Sequence, residues 1–600
     1  MRRHPARQSR YDAAVPDWSY RTVLRPLLFA LGAERSRRLA MSTLRTLARA
    51  PLGLQAIDFL GHMRADARLR TCAGGLELPG PIALGALLDP RGDALAAFAR
   101  FGVGMIEVGP VLERTAARGV VDPEWRVDLE RCAIDAATLL TVSLDELAAN
   151  LEHAEPRVPV CVRIAAQDGG AVRRIVERLH EHAALFVADP SNIDDARGGR
   201  PVLSAETIHE NAAGIWLRGD AERVRAVRAA LPDGAIVIAS GATQPGEVRE
   251  FLNAGADVVA VDAGLVCSGP GLIKRCNEAL LSSKPAVSPP EPLTLDAARR
   301  SWFWAFVMGV AMFLGGMMAV AIASTRIVLP YDESLGGLTR AQMIHLNPRL
   351  LPFMAHDRIS LAGTMLSIGI FYAALAWSGI RRGAHWAYVT VIASALTGFL
   401  SFFSFLGFGY FDPFHAFVTA ILTQCMFLCL VLAPSPPQPP VAEWQETAAW
   451  RRGQWGQLLF IVLGIGLTGA GIVMTIIGCT RVFVHSDLVF MQATAMQFHR
   501  SYEHLVPLVA HDRASLGGML IANGIAVWLS AQWGFRAGAR WLWTALAWGG
   551  NLAFTCAVAV HFVVGYHEPL HLAPAIAGWV LWNVALALTR GWLTPHGNTS

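Results

Sequence analysis

Val158-Pro-Val-Cys-Val-Arg-Ile164, Leu185-Phe-Val-Ala188, Gly214-Ile-Trp-Leu217, Ala235-Ile-Val-Ile-Ala239 and Val258-Val-Ala-Val261 form a series of short β-branched runs. Helical stretches such as 170–182 separate them. Apolar strands spaced by helices predict parallel βα units. Pro81-Ile-Ala-Leu84 and Met105-Ile-Glu-Val108 extend the pattern upstream. About eight such units over ~220 residues predict a (β/α)8 barrel rather than an open sheet. Ser240-Gly241 and Asp262-Ala-Gly264 end the last two strand candidates, where barrels of this type bind phosphate.

The barrel occupies only the first half of a 600-residue chain. Of 51 Lys+Arg and 47 Asp+Glu, residues 301–600 hold 14 Arg, no Lys and 10 acids, leaving 37 of each sign in 1–300. The charged fraction therefore falls from about 25%, normal for a soluble domain, to about 8%. Fifteen of the 18 Trp lie in the second half. A soluble half joined to a membrane half follows. This excludes a single soluble enzyme, a disordered chain and a nucleic-acid binder, which needs a basic stripe. Nine cysteines without CxxC pairing argue against a disulfide framework or a zinc site built on them. No apolar run follows Met1-Arg-Arg-His-Pro-Ala-Arg-Gln-Ser-Arg10, so no secretory signal is expected and the barrel is placed on the cytoplasmic side of a cell membrane.

Four apolar stretches near 303–323, 359–379, 385–408 and 414–433 are each close to the ~20 residues that cross a bilayer. The Pro-rich segment 433–440 ends this set. Four more follow near 457–478, 514–533, 541–564 and 570–589. Eight spans are expected. The two sets are copies. Thr325-Arg326 recurs as Thr480-Arg481, and Ala355-His-Asp-Arg358 as Ala510-His-Asp-Arg513, both 155 positions on. Asp332 and Asp487, Pro352 and Pro507, and Gly363 and Gly518 keep the same offset. Gly409-Tyr-Phe-Asp-Pro-Phe-His415 recurs as Gly565-Tyr-His-Glu-Pro-Leu-His571 at 156. Agreement at polar positions over a hundred residues signals duplication. Four spans per copy predict a parallel repeat. Nine Arg on one face against seven on the other place the first face in the cytoplasm.

The His-Asp-Arg groups then begin the second span of each copy, and the Asp/Glu-Pro-x-His groups the fourth. Ionisable groups at membrane depth are costly and point to function. His356, Asp412 and His415 in one copy, and His511, Glu568 and His571 in the other, can ligate a metal, cap a quinone or relay protons; Asp357 and Asp512 join the same candidate set. Equally, Asp at a helix start is an ordinary cap, and Arg358 can simply neutralise an acid. His561 and His567 occur in one copy only and are less expected as ligands.

Residues 20–282 also resemble a family, the membrane-associated, quinone-linked (class 2) dihydroorotate dehydrogenases. The likeness rests on Tyr20-Arg-Thr-Val-Leu-Arg-Pro-Leu-Leu-Phe29, Leu84-Gly-Ala-Leu-Leu-Asp-Pro-Arg-Gly92, Phe101-Gly-Val-Gly-Met-Ile-Glu-Val-Gly109, Gly198-Gly-Arg-Pro-Val202 and Gly264-Leu-Val-Cys-Ser-Gly-Pro-Gly-Leu-Ile-Lys274. It implies N-terminal helices lying on the bilayer, FMN, and quinone-linked oxidation of dihydroorotate in pyrimidine biosynthesis. The chain departs from the family at its chemistry. Asp89 is followed by Pro90 instead of the family's FMN-contacting lysine, and a second flavin lysine is Arg163. The family's threonine is Pro110, and its Asn-rich stretch is Arg131-Cys-Ala-Ile-Asp135. The catalytic-serine segment has no counterpart between 143 and 158, and Asp262 stands beside the expected phosphate. The remaining flavin-binding candidates are Gly85, Ala86, Arg163, Gly199, Ser240, Gly241, Ala263 and Gly264, mostly through backbone amides; no catalytic residue is assigned.

The expected organisation is membrane-associating helices at 1–60, the barrel at 61–284, a linker at 285–300, membrane repeats at 301–433 and 456–592, and a Pro-rich linker at 434–455. Three functions compete: an FMN- and quinone-linked dehydrogenase, a degenerate barrel acting as a regulatory or docking module, and chemistry or transport in the duplicated half through metal, quinone or protons. The expected partners are the lipid bilayer, a quinone and a second copy of the chain in a homo-oligomer.

Overall fold

In the first unit, Ile82–Leu84 (β1), Met105–Leu112 (β2), Val160–Ile164 (β3), Leu185–Ala188 (β4), Val202–Ala205 (β5), Gly214–Arg218 (β6), Ile236–Ala242 (β7) and Val258–Val261 (β8) pair in parallel and in chain order. β1 pairs with both β2 and β8, which closes the barrel. This computed structural model describes residues 17–61, 65–114, 126–128, 133–135, 141–154, 157–165, 167–282, 295–403, 411–432, 434–435 and 446–595. It divides into residues 1–286 with 439–445, and residues 287–438 with 446–600.

Burial on both strand faces is resolved into two cores. Cys161, Leu185, Val187, Trp216, Ile238 and Ala260 fill the barrel interior. The alternate residues Val160, Val162, Phe186, Ile215, Val237 and Val259 pack under the surrounding helices. That alternation is the two-residue period of a strand, hidden in sequence because both faces are apolar. β5 is missing from the strands expected on sequence; only four residues long and preceded by Gly-Gly-Arg-Pro, it reads as a turn. A hairpin of Thr71–Ala73 and Leu76–Leu78 adds Ala73 and Leu78 to the inner core. Helices within 17–61 pack Met41 and Ile57 on the outer core. The Tyr20 hydroxyl donates to the Val266 carbonyl (2.6 Å) and Arg25 to that of Cys267 (3.0 Å).

The second unit contains Ser301–Thr325 (α1), Leu350–Ala374 (α2), His385–Phe403 (α3), Pro413–Val431 (α4), Ala448–Cys479 (α5), Leu505–Gly534 (α6), Arg540–Val564 (α7) and Pro569–Leu593 (α8). Among the described residues, seven helices are long and apolar enough to cross a membrane; α3, the remaining expected span, runs up to residues outside the described set. The Pro-rich segment and Gly409-Tyr410 also lie largely outside it. α2 and α6 each begin nine residues before the apolar stretch that predicted them, so the His-Asp-Arg groups lie in the second helical turn rather than at its start. Charged residues interrupt the hydropathy there, but the fold neutralises them. Small residues set the helix crossings. A Cβ on Gly316 of α1 would meet the Leu366 amide at 2.8 Å, and one on Gly471 of α5 the Gly517 carbonyl at 2.6 Å.

Candidate functional site

The flavin-binding candidates gather at the C-terminal mouth of the barrel, except Gly199, which sits in an open turn at φ +81° with nothing near its missing Cβ. The others are engaged by the protein itself. The Ala86 amide donates to Glu107 Oε2 (2.9 Å). Arg163 points inward from β3, donates to Glu107 Oε1 (2.7 Å) and lies 5.4 Å over the Trp216 ring. Asp262 accepts from the Ala263 amide and abuts Gly85, where a Cβ would stand 3.2 Å from its carboxylate. Burial raises the Asp262 carboxyl above its ordinary range, partly offset by the Ala263 amide and Arg218. The Ser240 hydroxyl donates to the Leu217 carbonyl (3.3 Å), and Gly241 provides the φ of +112° that the bulge at the end of β7 requires. A Cβ on Gly264 would strike Leu272 and the Thr243 backbone.

Asp89, which the family resemblance places beside a flavin lysine, is instead a buried acceptor for the Asp93 and Ala94 amides (both 2.8 Å). Burial pushes its carboxyl up to about 6. These residues do not fit a flavin phosphate. Two amides that would hold the anion are taken by the carboxylates of Glu107 and Asp262, and a phosphate beside them is not accommodated without a cation. Residues 131–132 and 155–156 lie outside the described set, so the segments compared with the Asn-rich and serine stretches are only partly described.

The membrane half is arranged differently from the expectation that each copy holds its own ligands. His356 of α2 meets His561 of α7 and His571 of α8, while His511 of α6 meets Asp412 and His415 of α4; in each trio one nitrogen or oxygen per residue lies within 4.8 Å of the others. Each cluster therefore joins the two halves of the bundle. Nε2 of His356 and Nε2 of His561 are 3.1 Å apart, as are Nδ1 of His415 and Nε2 of His511. His561, less expected because it is unique to one copy, is central. Its helical position on α7 carried the only signal, a histidine inside an apolar span.

The carboxylates have separate tasks. Asp412 and Glu568 cap α4 and α8 by accepting from the amides of His415 (2.9 Å) and His571 (2.5 Å). Glu568 does not join a cluster; Asp412 does. Asp357 and Asp512, not caps, accept from Nδ1 of their neighbours His356 (2.9 Å) and His511 (3.4 Å). They also bridge the halves: Arg513 Nε reaches Asp357 Oδ2 at 3.0 Å and Arg358 Nε reaches Asp512 Oδ2 at 2.8 Å. The same arginines bind Asp487 (2.6 Å) and Asp332 (3.0 Å). They also donate to the carbonyls of Val482 (2.7 Å) and Ile327 (2.6 Å). Those two residues hold φ of +62° and +68°, unusual for β-branched side chains and costing roughly 1–2 kcal/mol each.

The geometry of one pair decides its chemistry. Nδ1 of His356 faces a carboxylate already paired with arginine, and Nδ1 of His561 faces the Ala557 carbonyl at 2.6 Å. Both partners can only accept, so both Nδ1 atoms carry hydrogen. With both rings uncharged, two bare Nε2 lone pairs would face each other across 3.1 Å. A cation between them removes the repulsion. Tetrahedral ligation at 2.0–2.1 Å spaces imidazole nitrogens about 3.3 Å apart. The acceptors behind His356 and His561 match the outer-shell partners that orient metal-bound histidines.

No family model matches the chain. Among curated proteins, the quinone-linked dihydroorotate dehydrogenase of Deinococcus deserti is 28% identical over 323 residues, covering 51% of this chain and 86% of that protein. That of Nitrosomonas eutropha is 33% identical over 134 residues, 22% of this chain and 37% of that protein. This chain carries a dihydroorotate-dehydrogenase-like half. A solved dihydroorotate dehydrogenase from Eimeria tenella in complex with ferulenol covers 41% of this chain and 90% of its own at 17% identity, with a TM-score of 0.35.

Proposed function

We propose that this is a membrane-bound protein whose activity resides in a duplicated eight-span bundle that binds transition-metal ions, carried by a dehydrogenase-derived barrel that no longer oxidises dihydroorotate. The observation that carries the reading is the His356–His561 contact, two rings whose Nδ1 atoms face acceptors and whose Nε2 atoms lie 3.1 Å apart. A shared proton needs two partners; His571 supplies a third within 4.8 Å, which favours a metal. Imidazole ligands suit zinc, copper, iron or nickel. The 155-residue offset supports duplication, because the bridging arginines, their acids and the left-handed residues whose carbonyls accept from those arginines all recur at it. Exposed Leu24, Leu27 and Leu31 support bilayer contact by the N-terminal helices.

Metal analysis of the detergent-purified full chain tests this. Up to two first-row ions per chain are expected, one of them lost in His356→Ala and in His561→Ala. A chain that takes up neither zinc nor copper, or unchanged stoichiometry in both variants, overturns the reading. The second reading, FMN- and quinone-linked dihydroorotate oxidation, is favoured by the names of the relatives. Bound flavin together with rescue of a pyrimidine auxotroph would establish it. The engaged amides of Ala86 and Ala263 weigh against it.

A further inference from the structure

The two histidine clusters differ in what adjoins them. Beside Asp412, His415 and His511 lies a cavity of about 230 Å³ bounded by α1, α2, α3, α4 and α6. Its polar end also presents Tyr331, Arg358 and Ser515, and its walls are apolar, including Ala319, Met365 and Leu422. Met318 and Phe414, both lining residues, are 44% and 43% exposed on helices long and apolar enough to span a bilayer. The cavity thus runs from buried polar groups to surfaces suited to hydrocarbon.

One polar atom at that end is unanswered. Ser515 is 5% exposed and its Oγ has no hydrogen-bond partner among the described residues. An unpaired buried hydroxyl is costly unless a ligand or water meets it. The Tyr331 hydroxyl donates to Asp412 Oδ2 (3.2 Å), which leaves that phenol oxygen able to accept. Donors and acceptors therefore coexist within a space the size of a single ring. Aromatic rings stand at the matching helix positions of the second half. There Gly578, which corresponds to Leu422, lies against the Phe554 ring, and Phe554 packs on Trp582, the counterpart of Met426, with centroids 5.8 Å apart.

We propose that this cavity binds the head group of a membrane-dissolved quinol or quinone, with the ring oxygens meeting Ser515, Tyr331 and the Asp412/His415/His511 cluster and the tail leaving between Met318 and Phe414. The chemistry selects this occupant. A fatty acid would bring a third carboxylate to Asp412 and Asp512, while the nearest cation, Arg358, is held by Asp512 and Asp332. A neutral ring with paired hydroxyl or carbonyl oxygens meets donors and acceptors without added charge. The inference rests on where the second cluster lies and not on that cluster holding an ion.

The test uses the full chain in detergent, a benzoquinone carrying a ten-carbon tail as probe, and binding read by tryptophan quenching. Ala319→Phe fills the apolar wall and Ser515→Ala removes the unanswered hydroxyl; metal content is measured on the same samples. Saturable binding by the native chain is expected, weakened about tenfold or more in Ala319→Phe and severalfold in Ser515→Ala, with metal stoichiometry unchanged. Absent binding by the native chain, equal binding by Ala319→Phe, or displacement of the probe by a long-chain fatty acid at equal concentration would each overturn the proposal. Metal loss in the histidine variants reads out separately, so either idea can fail alone.

Discussion

Replacing Arg513 by Leu probes how the bundle tolerates charge. The guanidinium is 1% exposed and lies between Asp357 and Asp487, themselves 1% and 0% exposed, at 3.0 and 2.6 Å. It also donates to the Val482 carbonyl and sits 4.9 Å over the Phe353 ring. Removing it leaves two buried carboxylates without a counter-charge. Each keeps some help: Asp357 from His356 Nδ1, and Asp487 from the Tyr566 hydroxyl (2.9 Å) and the Val484 amide (2.7 Å). Breaking one partner of a buried pair costs about 3–5 kcal/mol, so a loss of about 4 kcal/mol is expected. Unfolding by sodium dodecyl sulfate titration of detergent-purified protein measures it.

Two controls separate charge from packing. Neutralising one acid as well, in Arg513→Leu with Asp357→Asn, should recover about 1–3 kcal/mol, because coupled partners are not additive. Arg358→Leu removes the counterpart, whose side chain is 15% exposed against 1%, so water can reach the space it vacates beside Asp332 and Asp512 and the loss should be smaller. Strictly additive losses in the double variant, or a cost under about 1 kcal/mol for Arg513→Leu, would refute the account of a network that bridges the halves by charge.

Two further outcomes are expected. Because burial raises the folded Asp89 carboxyl to about 6, the native state binds the extra proton, so stability is highest at low pH and falls as pH rises from about 4 to about 6. Two pH units correspond to roughly 3 kcal/mol at most; Asp89→Asn should flatten this slope in barrel unfolding followed at pH 4 to 7, and an unchanged slope would exclude Asp89 as its source. Gly471→Val places a Cβ 2.6 Å from the Gly517 carbonyl and should cost about 3 kcal/mol or expel α5 from α6; detergent unfolding at the native midpoint would contradict this close crossing.

The barrel was legible because its strands are apolar on both faces and its turns carry glycine, so β3, β4 and β6 to β8 stand out in the chain. β5 did not, because four residues after Pro201 show no period. The chemistry of the mouth was legible as departures from a family, yet not its consequence: that Glu107 and Asp262 occupy the amides of Ala86 and Ala263 follows from the closed barrel, not from spacing. In the bundle the repeated His-Asp-Arg and Asp/Glu-Pro-x-His groups were readable. Their partners were not. A repeat reveals which residues correspond, whereas contacts between copies depend on helix packing that leaves no periodic trace. His356 therefore belongs with His571, 215 positions on, rather than with His415.

That exchange of partners leaves two unequal clusters. Each cluster takes one histidine from one half and its remaining residues from the other, so each half contributes to both clusters. The second half supplies His561 and His571 to the cluster of His356, which brings together three imidazoles with Tyr566 stacked on His571 at 4.8 Å. The first copy supplies Asp412, giving two imidazoles and a carboxylate beside a cavity. A dication would leave a net charge near +2 in the first and +1 in the second, so the carboxylate-bearing site holds the higher oxidation state of a redox metal more readily. Aromatic bulk at Phe554 and Trp582 accompanies the all-histidine cluster, and open space the mixed one. Converting Asp412 to His should bring the two clusters' metal preferences together while leaving α4 without its cap, since the His415 amide would lose Oδ1.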